Sequence, residues 1–379
     1  DMKFAGTLAR TVMVAALALG GGALHAQDGV TKTSITIGQS VALTGPGSPL
    51  AVPFHQGAKM YFDRVNAAGG INGRKIELIT LDDRGNPTQT AAHAKQLMDQ
   101  GVLALFGFYG SPQVVAAYPV IKDTDALLFA PMAAADELRG ALYPNVYSLR
   151  PGYAEEASAI AKHAETLGAR KFAVLHGTDG ESLAALDAAE RTMTSAGANL
   201  LAKAPLASGS VAGSVDKVMA ARPESMLVIS DAAGAGTAIR DLRAKGFRGP
   251  IYGFSNTGEG LLADQLGPAG AGVVVVRVVP KSDNAKMAVA RELQADLAQA
   301  KMGKPNVYLL EGYIAARVFT EALRRIPAKD APNRTRLKKS IDALDDLSIG
   351  GFRVHFTEER VGSKLVELSL IDSQGRVRE

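Results

Sequence analysis

The chain has 379 residues, 47% of them hydrophobic and 21% charged, with a formal net charge of +4 and no cysteine. That length exceeds one ordinary hydrophobic core, and the mixed charge and plentiful apolar residues exclude a disordered chain. So small a net charge makes no case for a polyanionic partner. The lack of cysteine excludes a disulfide scaffold and predicts a product with no cysteine-linked lipid anchor.

The N-terminus reads as a secretory signal over residues 1–26. Lys3 and Arg10 supply the positive region, Thr11 to Leu19 the apolar core, and small residues follow to Ala26. The apolar run is too short to span a bilayer. Cleavage is expected after Ala26, although Leu24 stands where a small residue is usual, and Met2 reads as the start. Removing Lys3 and Arg10 together with Asp1 leaves a charge of +3.

From Ile35 to Asp83 the pattern is strand, turn, helix, glycine stop, strand. Ile35 and Ile37 open a strand that Thr44-Gly45-Pro46-Gly47 breaks. Phe54, Ala58, Tyr61, Phe62 and Val65 recur at helical spacing, Gly69-Gly70 ends the helix, and Lys75 to Leu81 forms the next strand. This is a βαβ unit whose first turn lies at the carboxyl end of a strand, where ligands bind in open α/β sheets.

The alternation continues with helix Pro87–Asp99, strand Leu103–Phe106, helix Pro112–Asp123 and strand Leu127–Phe129. A second series runs through helix Tyr153–Leu167, strand Phe172–Leu175, helix Ser182–Ala196, strand Met226–Ile229, helix Gly236–Lys245 and strand Val273–Val276. Such alternation predicts an α/β protein with parallel sheets covered on both faces. Two long helices, about Ala285–Ala300 and Val307–Ile326, then break the rhythm. A helix near Thr335 to Leu344 and strands Phe352–Phe356 and Leu365–Ile371 close the chain. If there are two lobes, the chain crosses between them near Arg150, Val279 and Leu347. The basic run Arg324, Arg325, Lys329, Arg334, Arg336, Lys338 and Lys339 has no interleaved aromatic residues and reads as a solvated helix face, with no nucleic acid as partner.

Catalytic motifs fail one by one. Gly234-Ala235-Gly236 follows a strand as a dinucleotide fingerprint would, but Ile239 occupies the third glycine position. No phosphate-binding G-x-x-x-x-G-K-[ST] loop occurs. Gly253-Phe254-Ser255-Asn256-Thr257 approaches a nucleophile elbow, with Thr257 where glycine is needed. His55, His93, His163, His176 and His355 show no metal-ligand spacing. Asp82 and Asp83 are adjacent on a strand and point to opposite faces. No enzyme, cofactor or metal is therefore expected.

What remains is binding chemistry. Phe108-Tyr109-Gly110-Ser111-Pro112 leads from a strand into a helix, with Ser111 as a natural N-cap and Pro112 as a natural first helical residue. The free N–H groups and the helix dipole there favour a carboxylate. Ser111 could equally do no more than cap its helix. Ala130 to Asp136 follows the next strand and could present backbone carbonyls to the same crevice.

The segments Ala42-Leu43-Thr44-Gly45-Pro46, Gly57-Ala58, Asn66-Ala67-Ala68-Gly69-Gly70-Ile71-Asn72-Gly73-Arg74, Asp82-Asp83, Phe106-Gly107 and Pro131 to Leu138 together resemble the Leu/Ile/Val-binding protein family, the type I periplasmic solute receptors of ABC transporters. The resemblance covers essentially the whole mature chain. It implies two doubly wound parallel-sheet lobes joined by three crossovers, here 30–149 plus 280–346 and 150–279 plus 347–379. It further implies a monomer in the periplasm that closes on an amino acid or small organic carboxylate and hands it to an ABC permease in the inner membrane. The alternative is a sensory receptor of the same fold that signals to a membrane partner. Family members hold the ligand carboxylate on a serine matching Ser111. Their ammonium anchors fall on Met132, Ala134, near Ala232 and near Ser255, where this chain lacks the side chains. Asp231, Asp179 or Glu259 could substitute. A disulfide found in some members falls on Gly85 and Gly110. The expected binding residues are Tyr109, Gly110, Ser111, Met132, Ala133, Ala134, Tyr153, Asp231 and Ser255.

Overall fold

The computed structural model describes residues 28–356 and 360–378; the signal segment expected over residues 1–26 lies outside them. In the first lobe the chain runs β1 (Ser34–Val41), α1 (Ser48–Ala67), β2 (Lys75–Asp82), α2 (Pro87–Asp99), β3 (Leu105–Phe106), α3 (Ser111–Ile121), β4 (Leu128–Phe129) and β5 (Val146–Tyr147). These strands form one parallel sheet in the order β2-β1-β3-β4-β5. The second lobe follows with α4 (Tyr153–Thr166), β6 (Lys171–His176), α5 (Gly180–Ser195), β7 (Asn199–Pro205), α6 (Val211–Ala220), β8 (Ser225–Ile229), α7 (Ala232–Ala244), β9 (Ile251–Gly253), α8 (Glu259–Leu266) and β10 (Val273–Arg277).

The chain then returns to the first lobe as α9 (Ala288–Gln299), α10 (Val307–Arg324), α11 (Arg334–Asp342) and a hairpin of β11 (Leu347–Ile349) and β12 (Phe352–Val354). It ends with β13 (Glu367–Ile371) and β14 (Val377–Arg378), which add antiparallel to β10 and complete a sheet ordered β14-β13-β10-β9-β8-β6-β7. The expected α/β architecture of two doubly wound lobes is present. β7 and α6, and β9 and α8, have no counterpart in the sequence reading. β7 is a largely exposed edge strand and β9 has only three residues, so neither carries a long buried run.

The boundary expected at Leu347 lies too early. Ile349, Phe352, Val354 and Phe356 pack into the same core as Phe62, Phe106 and Phe319, so the hairpin belongs to the first lobe. The passage to the second lobe follows Phe356. Residues near it run beside the first crossover, with the Ser148 N–H donating to Arg360 O at 2.9 Å and the Gly362 N–H to Ser148 O at 2.8 Å.

α10 is buried along nearly its whole length and crosses α1 at close range. A β-carbon at Gly57 would stand 2.0 Å from Leu309 O, and one at Gly312 would stand 1.9 Å from Phe54 O. The two glycines let the backbones touch. Gly312→Ala is expected to destabilise the protein by about 3 kcal/mol through overpacking, read as a lower urea midpoint at unchanged slope. Gly213→Ala, on the exposed face of α6 with nothing within 4 Å, is expected to be neutral or stabilising.

Candidate ligand-binding cleft

The loops at the carboxyl ends of β1, β3 and β4 meet at one edge of the first lobe. Asp82 holds the first of them, accepting the Leu43 N–H at 3.0 Å, the Thr44 N–H at 3.3 Å and the Thr44 hydroxyl at 2.7 Å. Asp83 points the other way and accepts from Ser40, Thr90 and the Gly85 N–H. The adjacent carboxylates thus secure separate loops. Gly47 lies against the Tyr109 ring, 2.6 Å from Cε1 for an added β-carbon. The Gly/Pro turn therefore forms a wall behind Tyr109.

Beyond β3, the Gly110 N–H donates to Met132 O at 3.0 Å and the Met132 N–H to Phe108 O at 2.8 Å. This brings Tyr109, Gly110 and Ser111 beside Met132, Ala133 and Ala134. Gly110 has φ +98, and a β-carbon there would meet Gln113 Oε1 at 2.0 Å. The Gln113 amide donates to Gly85 O at 2.8 Å. Gln113 therefore ties the Gly85 loop to the start of α3.

Ser111 does not cap its helix. Gly110 holds the N-cap position without a side-chain bond, and the Ser111 hydroxyl accepts the Ala135 N–H at 3.0 Å. That hydroxyl donates across the cleft to Glu181 Oε1 at 3.0 Å, while the Ser111 N–H donates to Glu181 Oε2 at 2.6 Å. The Tyr153 hydroxyl donates to the same Oε1 at 2.6 Å. Ser111 and Tyr153 thus build a seat for a carboxylate at the start of α3, and Glu181, from the first turn of α5, sits in it. The two helix starts are close enough that a β-carbon on Gly180 would touch Pro112 Cγ at 2.6 Å.

Four of the carbonyls after β4 already accept hydrogen bonds within the protein. Met132 O accepts from Gly110, Ala134 O from Tyr153 at 2.9 Å, and Ala133 O and Ala135 O from Arg139. Asp231 is exposed and caps α7 through the Gly234 N–H at 2.8 Å. Asp179 caps α5 in the same way, accepting from Ser182 at 3.0 Å. Both still bear on the cleft: burial first, then the charges of Glu181, Asp179 and Asp231, push the Tyr109 hydroxyl well above the usual tyrosine range.

Ser255 belongs to a second cluster, deeper between the lobes. Its N–H and hydroxyl donate to Glu156 at 2.8 and 2.7 Å, and its hydroxyl accepts from the Arg150 guanidinium. Arg150, 7% exposed, lies 3.4 Å from Glu156 of α4 and 3.4 Å from Glu311 of α10, which are 0% and 9% exposed. The Tyr308 hydroxyl of α10 donates to Ser255 O at 3.1 Å. Burial pushes the carboxyls of Glu156 and Glu311 up while Arg150 pulls them down. Burial opposes the charge of Arg150, but Glu311 and Glu156 hold it above the usual range. One cation thus serves two carboxylates from opposite lobes. Among the described residues no histidine bonds Ser255; His176 bonds Gly177 O at 2.9 Å instead. Glu259, offered as an ammonium anchor, lies 3.6 Å from Arg277. Among the described residues no group of acidic, histidine or cysteine side chains could hold a metal.

Of the nine expected residues, Ser111 and Tyr153 bond Glu181, Tyr109, Gly110, Met132, Ala133 and Ala134 lie on the two adjoining loops, and Asp231 and Ser255 serve other bonds. Glu181, Glu156, Glu311 and Tyr308 had no motif to mark them. Arg150 was visible only as a crossover. Glu181 had one signal: it opens a helix after a strand end, as Ser111 does.

The periplasmic binding protein family matches over residues 34–363. An amino acid binding protein of Pseudomonas aeruginosa is 24% identical over 348 residues, 86% of this chain and 91% of the relative. The leucine-specific-binding protein of Salmonella typhimurium is 25% identical over 341 residues, 87% of each. Among solved structures, an extracellular ligand-binding receptor from Verminephrobacter eiseniae superposes with a TM-score of 0.85 at 26% identity, covering 92% of this chain and all of the other.

Proposed function

The chain belongs to the periplasmic binding protein family, and from that premise we propose that it captures an amino acid or small organic carboxylate by hinge closure and delivers it to an ABC permease. The observation that carries this reading is the seat at Ser111 and Tyr153. Its three donors engage a carboxylate, and they come from the start of α3 in the first lobe and the start of α4 in the second. Hinge closure around a ligand is an established mode of domain motion. On this reading the protein works in the periplasm as a monomer and leaves its ligand chemically unchanged.

A ligand with an amine and one without remain equal readings, because Ala134 offers no hydroxyl and Ser255 is committed to Glu156. A thermal-denaturation screen with leucine, isoleucine, valine, 4-methylpentanoate and benzoate tests the proposal. At least one is expected to stabilise the protein, by about 2.7 kcal/mol at a hundredfold excess over Kd. Failure of every carboxylate alongside stabilisation by a sugar would overturn it.

A further inference from the structure

We infer that Glu181 is a tethered occupant of the ligand's carboxylate seat, a built-in competitor that latches the empty cleft and must be displaced before a ligand binds. The inference rests on the proposed carboxylate-binding role of Ser111, which it extends. α3 belongs to the first lobe and α5 to the second, so the two Ser111 contacts exist only while the lobes are together, whereas Tyr153, at the start of α4, stays with Glu181 in the second lobe. All three donors to Glu181, the Ser111 N–H, the Ser111 hydroxyl and the Tyr153 hydroxyl, are neutral. They hold the side chain as they would hold a free acid, with the positive end of α3 behind them. The fit is fixed from the second-lobe side as well, since Asp179 caps the same helix turn and Gly180 packs on Pro112.

A tethered group competes at a local concentration set by its tether rather than by the solution. The apparent dissociation constant of any incoming acid is therefore divided by the fraction of molecules whose seat is open. Displacement also leaves the Glu181 carboxylate close to the bound acid, where like charges oppose each other.

The latch can be tested in the ligand-free protein. The chain has no cysteine, so Gln89→Cys and Ala233→Cys, exposed at the cleft-side ends of α2 and α7, carry a spin-label pair across the lobes. Without ligand, Glu181→Gln, Glu181→Ala and Ser111→Ala are each expected to lengthen and broaden the inter-lobe distance distribution, with unchanged circular dichroism. Glu181→Ala is further expected to bind 4-methylpentanoate or benzoate about tenfold more tightly than wild type, as releasing a latch closed nine-tenths of the time would give. A distance distribution unchanged in both Glu181 variants overturns the latch, whatever the ligand. Weaker binding of those acids by Glu181→Ala overturns it too. If the distances shift but no carboxylate binds any variant, the latch stands and the ligand class proposed above fails.

Discussion

Arg150→Met is expected to destabilise the protein by about 3–5 kcal/mol, read as a lower denaturant midpoint. The guanidinium is the shared counter-charge of Glu156 and Glu311, and its removal leaves two carboxylates in a site that is at most 9% exposed. Replacing both members of a buried pair is far cheaper than removing one. Arg150→Met/Glu311→Gln removes one of the two stranded carboxylates and is expected to recover part of the loss, with Glu156 still lacking its counter-charge. Glu156 is the worse second target, because its oxygens also accept from the Ser255 N–H and hydroxyl.

The pH dependence follows in sign. Burial raises both carboxyls above their ordinary value of 4.5 in the folded state. An acid raised in the fold contributes stability that is complete below its unfolded pKa and is lost as pH rises through its folded pKa. Without Arg150 the rise is larger. The penalty of Arg150→Met should therefore be smaller at pH 5 than at pH 8, and an equal penalty at both would show that Arg150 is not the counter-charge of these carboxylates.

In the Glu181→Ala background, where no latch competes, Ser111→Ala is expected to weaken the binding of a carboxylate ligand by about 10- to 100-fold. A hydrogen bond to a charged group is worth about 1.5–3 kcal/mol, and each 1.4 kcal/mol is about a factor of ten. The backbone N–H of residue 111 survives the change, so binding should fall without vanishing. The substitution also leaves the buried Ala135 N–H without its acceptor, which costs about 1–3 kcal/mol of stability. Ser111→Thr keeps the hydroxyl and separates the two effects: it should restore much of the affinity if the hydroxyl contacts the ligand. Calorimetric titration of the three proteins with one acid makes the comparison.

The first lobe was legible because its signals are local. Ile35 to Asp83 contains its own strand, turn, helix and glycine stop, and Ser111-Pro112 marks a helix start at a strand end. What escaped depends on pairs far apart in the chain. Ser111 and Glu181 are 70 residues apart, Arg150 and Ser255 105, and no spacing rule links either pair. Ser111 looked like an N-cap because its residue type and position suit one; only the fold shows that its hydroxyl turns to Ala135 and Glu181 instead. The β11–β12 hairpin was assigned to the wrong lobe for a related reason. Phe352, Val354 and Phe356 alternate as any half-buried strand does, and the pattern does not say against which core they pack.

The central claim is that the Ser111–Tyr153 seat between the lobes receives a ligand carboxylate. Calorimetric titration with matched acids and amides tests it most directly, using leucine against leucinamide, 4-methylpentanoate against its amide, and benzoate against benzamide. At least one acid is expected to bind the wild-type protein at least about tenfold more tightly than its amide, since the seat's donors gain most from a charged acceptor. Amides that bind as tightly as their acids in every pair would contradict the account.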